Sequence, residues 1–154
     1  MSTVPKSHHA IVEAVASTPT FSELQASLPG SGEEYVVGGA VGSLAAAVTA
    51  ALHGDLGERI LVVVASDPSD AASAEADLTT LLGEGRAVLF PQREALPYET
   101  TERHLEISGL RVEAAEAVFS GRSRLLVTTL RALQERTPVP SELADLRLTL
   151  SVGD

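Results

Sequence analysis

The chain has no cysteine and no tryptophan, only three phenylalanines and two tyrosines, and a single lysine, Lys6, in 154 residues. Without cysteine there is neither a disulfide scaffold nor a thiolate zinc site, and no Cys–His pair for nucleophilic catalysis. The histidines His8, His9, His53 and His104 are scattered at spacings that suggest no metal site. No G-x-S-x-G elbow is present. The first residues, Met1 to Lys6, precede no long apolar h-region, so no secretion signal is read there. No apolar run is long enough to span a bilayer. Cysteine-free composition fits the cytosol, and a cytoplasmic protein is expected.

What is present is apolar and acidic. Hydrophobic residues make up 44% and charged residues 21%, which is globular rather than disordered. The formal net charge is −10, which argues against an autonomous duplex-DNA binder, because phosphate contacts supply most non-specific affinity. Ten of the 11 basic residues are arginines. Length alone favours one domain with a real core.

Along the chain, residues 1–34 read as a helical preamble. A short amphipathic stretch from Ser7 to Ala16 is followed by a second helix start, where Thr20 with Glu23 makes a capping-box pattern. Pro29-Gly30-Ser31-Gly32 breaks the chain. From residue 35 to about 137, strand and helix patterns alternate. Val36-Val37 is expected as a first strand and Leu44 to Leu52 as a helix. Arg59 to Val64 is a nearly continuous apolar strand of the kind buried on both faces of a parallel sheet. Asp67 caps the next helix, with Pro68 at its first position, and Gly83 stops it. Ala87–Phe90 is a strand, Ile107, Leu110, Ala114 and Val118 mark a helix, Leu125–Thr128 is a strand, and Thr129 to about Arg136 a short helix. This alternation predicts an α/β fold with a parallel sheet and helices on both faces. Pro138 and Pro140 make a linker, and Leu146 to Val152 alternates strictly, like a half-exposed strand. Residues 138–154 are expected to be a linker and the first strand of a truncated second domain.

The glycine stretch Gly38-Gly39-Ala40-Val41-Gly42-Ser43, between a strand-like run and a helix, is the most suggestive motif. Strand, glycine loop and helix N-terminus together cradle phosphates through backbone N–H groups. A working P-loop, G-x-x-x-x-G-K-[ST], also needs a lysine for the phosphates and a hydroxyl for Mg²⁺. Set in register from Gly39, this loop offers Leu44 for the second glycine, then Ala45 and Ala46 for the lysine and the hydroxyl. A degenerate P-loop is the leading expectation. A plain glycine turn for close packing comes next. A Rossmann-type dinucleotide site using Asp67 as the ribose acid comes last, since G-x-G-x-x-G is absent as written. No bound cofactor is expected at Gly39, Gly42, Ser43, Ala45 and Ala46. Beyond the third strand, Phe90-Pro91-Gln92-Arg93-Glu94-Ala95-Leu96-Pro97-Tyr98-Glu99 lies where partners meet α/β sheets. Tyr98, Arg103 and Arg111 are candidates for a partner or nucleic-acid surface, with a rigid loop that packs Tyr98 against the core as the preferred reading of Tyr98 alone. A solvated face with local ion pairs, Arg103 with Glu99 or Glu106, is the preferred reading of these arginines.

These motifs together resemble the N-terminal module of bacterial transcription-repair coupling factors (the Mfd family), itself similar to the excision-repair helicase UvrB. Gly39 to Ala46 is similar to that family's loop, which keeps its lysine in UvrB and is degenerate in Mfd. The segments Phe90-Pro91 and Leu96-Pro97-Tyr98-Glu99, then Glu106-Ile107 and Leu110-Arg111-Val112-Glu113-Ala114, resemble its "FP…E.LPYE…E…R…L" signature. Leu126 to Pro138 is similar to the strand and helix that follow. The resemblance covers about residues 35–152. It implies a RecA-like α/β domain without catalysis, a scaffold and recruitment module in transcription-coupled nucleotide excision repair. It implies UvrA as a partner, chiefly through the second domain, and packing against other domains of the same protein. Contact with RNA polymerase and DNA, and ATP with Mg²⁺, belongs to the motor of a full-length DNA translocase. The hairpin with which UvrB clamps DNA has no room between Tyr98 and Arg111. A Rossmann-like nucleotide-binding module and a UvrB-like DNA-binding subunit are the alternatives.

Overall fold

The computed structural model describes residues 6–93 and 105–137. Three strands, β1 (Leu61–Ala65), β2 (Ala87–Phe90) and β3 (Leu125–Thr129), form one parallel sheet in the order β1-β3-β2. Six helices accompany it among the described residues: α1 (Lys6–Ala16), α2 (Pro19–Ala26), α3 (Leu44–Asp55), α4 (Pro68–Leu82), α5 (Leu105–Phe119) and α6 (Leu130–Gln134). The fold is α/β.

The strand order dictates the layers. The chain passes from β1 through α4 to the far strand β2, then steps back through α5 to the central strand β3. Right-handed crossovers in opposite directions leave their helices on opposite faces. The side chains agree. Leu61, Val63, Ala65, Ala87, Leu89, Leu125 and Val127 pack with Ala71 and Leu78 of α4 and with Ala46 and Ala50 of α3. On the other face α5 packs on β2 and β3, where Phe90 and Leu126 line one small cavity with Ala115, Val118 and Phe119.

Local chemistry sets the helix ends. Asp67 caps α4 by accepting the Asp70 N–H at 2.9 Å, with Pro68 at the first position and Gly83 at the end. Thr129 caps α6 in the same way, accepting the Ala132 N–H at 3.2 Å. The start of α2 differs from expectation. Thr18 is its cap, accepting the Phe21 N–H at 3.2 Å, and Pro19 follows, so Thr20 lies inside the helix. Proline at the first helical position fixes the boundary more firmly than the Thr20–Glu23 pattern.

The interior is built largely of alanine. Ala46, Ala47, Ala50 and Ala51 are the buried residues of α3, and Ala114 and Ala117 lie beside Arg111 in α5. The N-terminal helix shares this core: α1 packs on α3 and α4, with Val12 against the cluster.

One expected strand does not form. Tyr35 to Ala40 is irregular and exposed, and Val36 has 89% of its surface in solvent. Three β-prone residues have no ladder of their own to close, and an isolated short strand is not stable without a partner. The expected linker and strand over 138–154 lie outside the described residues. No helix among the described residues is long and apolar enough to cross a membrane.

The capping geometry gives a test. Asp67→Ala is expected to lower unfolding stability by about 1 kcal/mol in urea titration, with an unchanged m-value.

Candidate functional site

At the carboxyl ends of the three strands the backbone turns outward, and in α/β sheets this is where ligands and partners are met. Here the ends of β2 and β3 are tied to one another. Thr128 Oγ1 donates to the Phe90 carbonyl at 2.9 Å and Thr129 Oγ1 to Gln92 Oε1 at 2.9 Å. The Arg93 N–H donates to both Glu135 carboxylate oxygens, at 3.0 and 3.2 Å. These bonds join the segment leaving β2 to the segment following β3.

Arg111 completes the tie from the middle of α5. Its side chain is only 1% exposed. Its Nη1 donates to the Pro91 carbonyl at 2.6 Å and faces a Glu135 carboxylate oxygen at 3.1 Å. Its Nη2 donates to the carbonyls of Ala132 at 3.3 Å and Glu135 at 3.1 Å. Nε donates to Thr137 Oγ1 at 3.2 Å, a hydroxyl that Nη2 also reaches. The guanidinium carbon stands 4.1 Å from the centre of the Phe90 ring, a cation–π contact in a largely dry setting. Burial pulls its pKa down from the ordinary value, the Glu135 carboxylate opposes that fall, and Arg93 adds to it. A guanidinium stays charged through such a shift.

Arg111 is therefore a core residue, and both readings of it, as part of a partner or nucleic-acid surface and as part of a solvated face, are corrected. The sequence contained the signal. Ile107, Arg111, Ala114 and Val118 follow the 4-3-4 spacing of one helical face. Leu110, assigned to that face by its hydrophobicity, is exposed instead. Glu135 and Thr137 carried no such signal, because their roles come from a neighbour 24 and 26 residues away. Tyr98 and Arg103 lie outside the described residues, as does the expected Arg103 ion pairing.

The glycine loop sits elsewhere, ahead of α3 and unattached to the sheet. Gly39 and Gly42 have φ values of +80° and +58°, a left-handed backbone that favours glycine. Ser43 stands at the N-cap without a side-chain capping bond. The Leu44 N–H turns back to the Val41 carbonyl at 3.4 Å and the Ala45 N–H to the Gly42 carbonyl at 3.3 Å. Ala45 is exposed, and Ala46, in the hydroxyl's place, is buried in the core. Asp67, the candidate ribose acid, is occupied as the α4 cap.

A cavity of about 830 Å³ lies at the opposite, amino ends of the strands, among His9, Glu13, His53, Asp55, Arg86, Arg122 and Arg124. Arg124 Nη1 donates to the Gly57 carbonyl at 2.9 Å, and Nη2 pairs with Glu58. His53 has its pKa pushed down, first by burial and then by the positive charges of Arg86 and Arg124. Among the described residues no group of three or more His, Asp or Glu side chains is placed to hold a metal ion.

No known family, curated protein or solved structure gives a significant match to the chain.

The environments of Arg111 and His53 are both open to measurement. Arg111→Met takes the buried cation from Glu135 and the guanidinium donors from the carbonyls of Pro91, Ala132 and Glu135, at a cost of roughly 3 kcal/mol in chemical unfolding. Arg111→Lys recovers little of it, since one ammonium cannot replace a fork of donors. His53 has a folded pKa below its unfolded value of 6.5, so the unfolded chain takes up the proton first. Its contribution is complete above that unfolded value and is lost progressively as pH falls from there through the lower folded value. The unfolding midpoint should therefore drop as pH falls below about 6.5, and His53→Asn should flatten the drop.

Proposed function

We propose that this chain is a non-catalytic scaffold module, RecA-like in fold, of the kind found at the N-terminus of transcription-repair coupling factors, with a role in partner recruitment for transcription-coupled nucleotide excision repair. The glycine loop carries this reading. Phosphate transfer at a P-loop depends on a lysine, a hydroxyl on Mg²⁺ and free N–H groups aimed at the phosphates. Here two loop amides are bonded to loop carbonyls, the lysine's place is Ala45, and the hydroxyl's place is a methyl group in the core. The loop also lacks the strand that would hold it against a sheet. What the fold retains is a rigid sheet whose carboxyl ends are cross-tied through Arg111. Such a platform fixes the two points from which the chain leaves it, at Arg93 and Thr137, and offers that end of the sheet to other domains or to a partner such as UvrA. ATP-driven translocation and displacement of RNA polymerase belong to other domains of such a protein.

The reading is tested by titrating the purified chain with a fluorescent ATP analogue and Mg²⁺ while monitoring phosphate release. Neither saturable binding nor turnover is expected. Saturable binding that disappears in Gly42→Val would replace the scaffold with a nucleotide site at the loop.

A further inference from the structure

Among the described residues, the sheet ends on one side with a strand, β1, that pairs only with β3 and has no neighbour on its outer edge. The Leu61 N–H donates to the Arg124 carbonyl at 2.8 Å, so the backbone groups of Leu61, Val63 and Ala65 face β3. Alternation along a strand then turns the N–H and C=O groups of Val62 and Val64 to the open edge. Their side chains lie on the α5 face of the sheet, but α5 covers β2 and β3, and Val62 and Val64 remain 47% and 50% exposed. Soluble proteins blunt open edges with charge, proline or a bulge. The sequence Leu61-Val62-Val63-Val64-Ala65 has none of these.

We propose that residues 146–152 of the same chain, Leu146-Arg147-Leu148-Thr149-Leu150-Ser151-Val152, add to this edge as a fourth strand, antiparallel to β1. The segment alternates strictly between an apolar and a polar row, the pattern of an edge strand with one covered face. Its tether fits. Arg111 holds Thr137 above the carboxyl end of β2, beside the Pro91 carbonyl. From β2 to a position outside β1 is three strand spacings, about 15 Å. Residues 138–145, with prolines at Pro138 and Pro140, reach up to about 26 Å when extended. A chain arriving at the carboxyl ends of the strands runs down β1 in the antiparallel sense, and an antiparallel edge on a parallel sheet is a common arrangement. The segment then closes this sheet instead of opening a second domain.

Amide hydrogen exchange read by NMR on the full 154-residue chain tests the pairing. The Val62 and Val64 amides should exchange at least ~100-fold more slowly in the unaltered chain than in the Leu148→Asp, Leu150→Asp double variant, with Leu61 and Val63 protected in both as the sign of an intact fold. Short proton–proton contacts between Val62–Val64 and residues 146–152 in the unaltered chain should accompany this and need no variant. Fast exchange of Val62 and Val64 in the unaltered chain overturns the proposal. So does the absence of those contacts, or protection that survives the double variant; protection lost on dilution instead would assign the edge to a second copy.

Discussion

A guanidinium taken out of water must find an acceptor for its donors, and Arg111 does so by gathering the ends of two strands around itself. Pro91 belongs to the exit of β2, and Ala132, Glu135 and Thr137 to the exit of β3. The charge costs desolvation energy, and the Glu135 carboxylate, three carbonyls, a hydroxyl and the Phe90 ring offset it together. Because the donors form a rigid plane, their partners are held in fixed relative positions, and the carboxyl edge of a four-residue and a five-residue strand becomes a single unit. Without that cation the Glu135 carboxylate would lose a charged partner, though its bonds from the Arg93 N–H would remain.

The glycine loop shows the opposite arrangement, a motif without its support. Phosphate cradles work because a strand anchors one end of the loop and a helix the other. Here the helix is present and the strand is not, so Gly39 and Gly42 shape an exposed turn. The cross-tied end of the sheet and the untied loop are therefore different parts of the molecule, and it is the former that fits the proposed role in presenting neighbouring segments.

How far the sequence was legible depended on whether neighbours or the chain itself decided the outcome. Ala87–Phe90 was readable because glycine and proline bracket four apolar residues, and α4 because Asp67, Pro68 and Gly83 mark its ends locally. Tyr35-Val36-Val37 has the same local character, but strand formation requires a partner edge, which no propensity encodes. Arg111 was misjudged for a related reason. Its charge suggested the surface, whereas its spacing with Ile107, Ala114 and Val118 placed it inside, and spacing prevailed because acceptors from two distant segments were waiting there. That supply of acceptors is a tertiary fact.

The alanine-lined interior has a consequence for the thermodynamics of folding. Alanine has no rotamers to lose, so ordering α3 and the middle of α5 costs almost no side-chain entropy. It also removes little apolar surface from water per residue, which keeps the heat-capacity change on unfolding small for the chain's length. A small heat-capacity change flattens the dependence of stability on temperature. This fold is therefore expected to have a broad and shallow stability curve, with cold and heat denaturation set far apart.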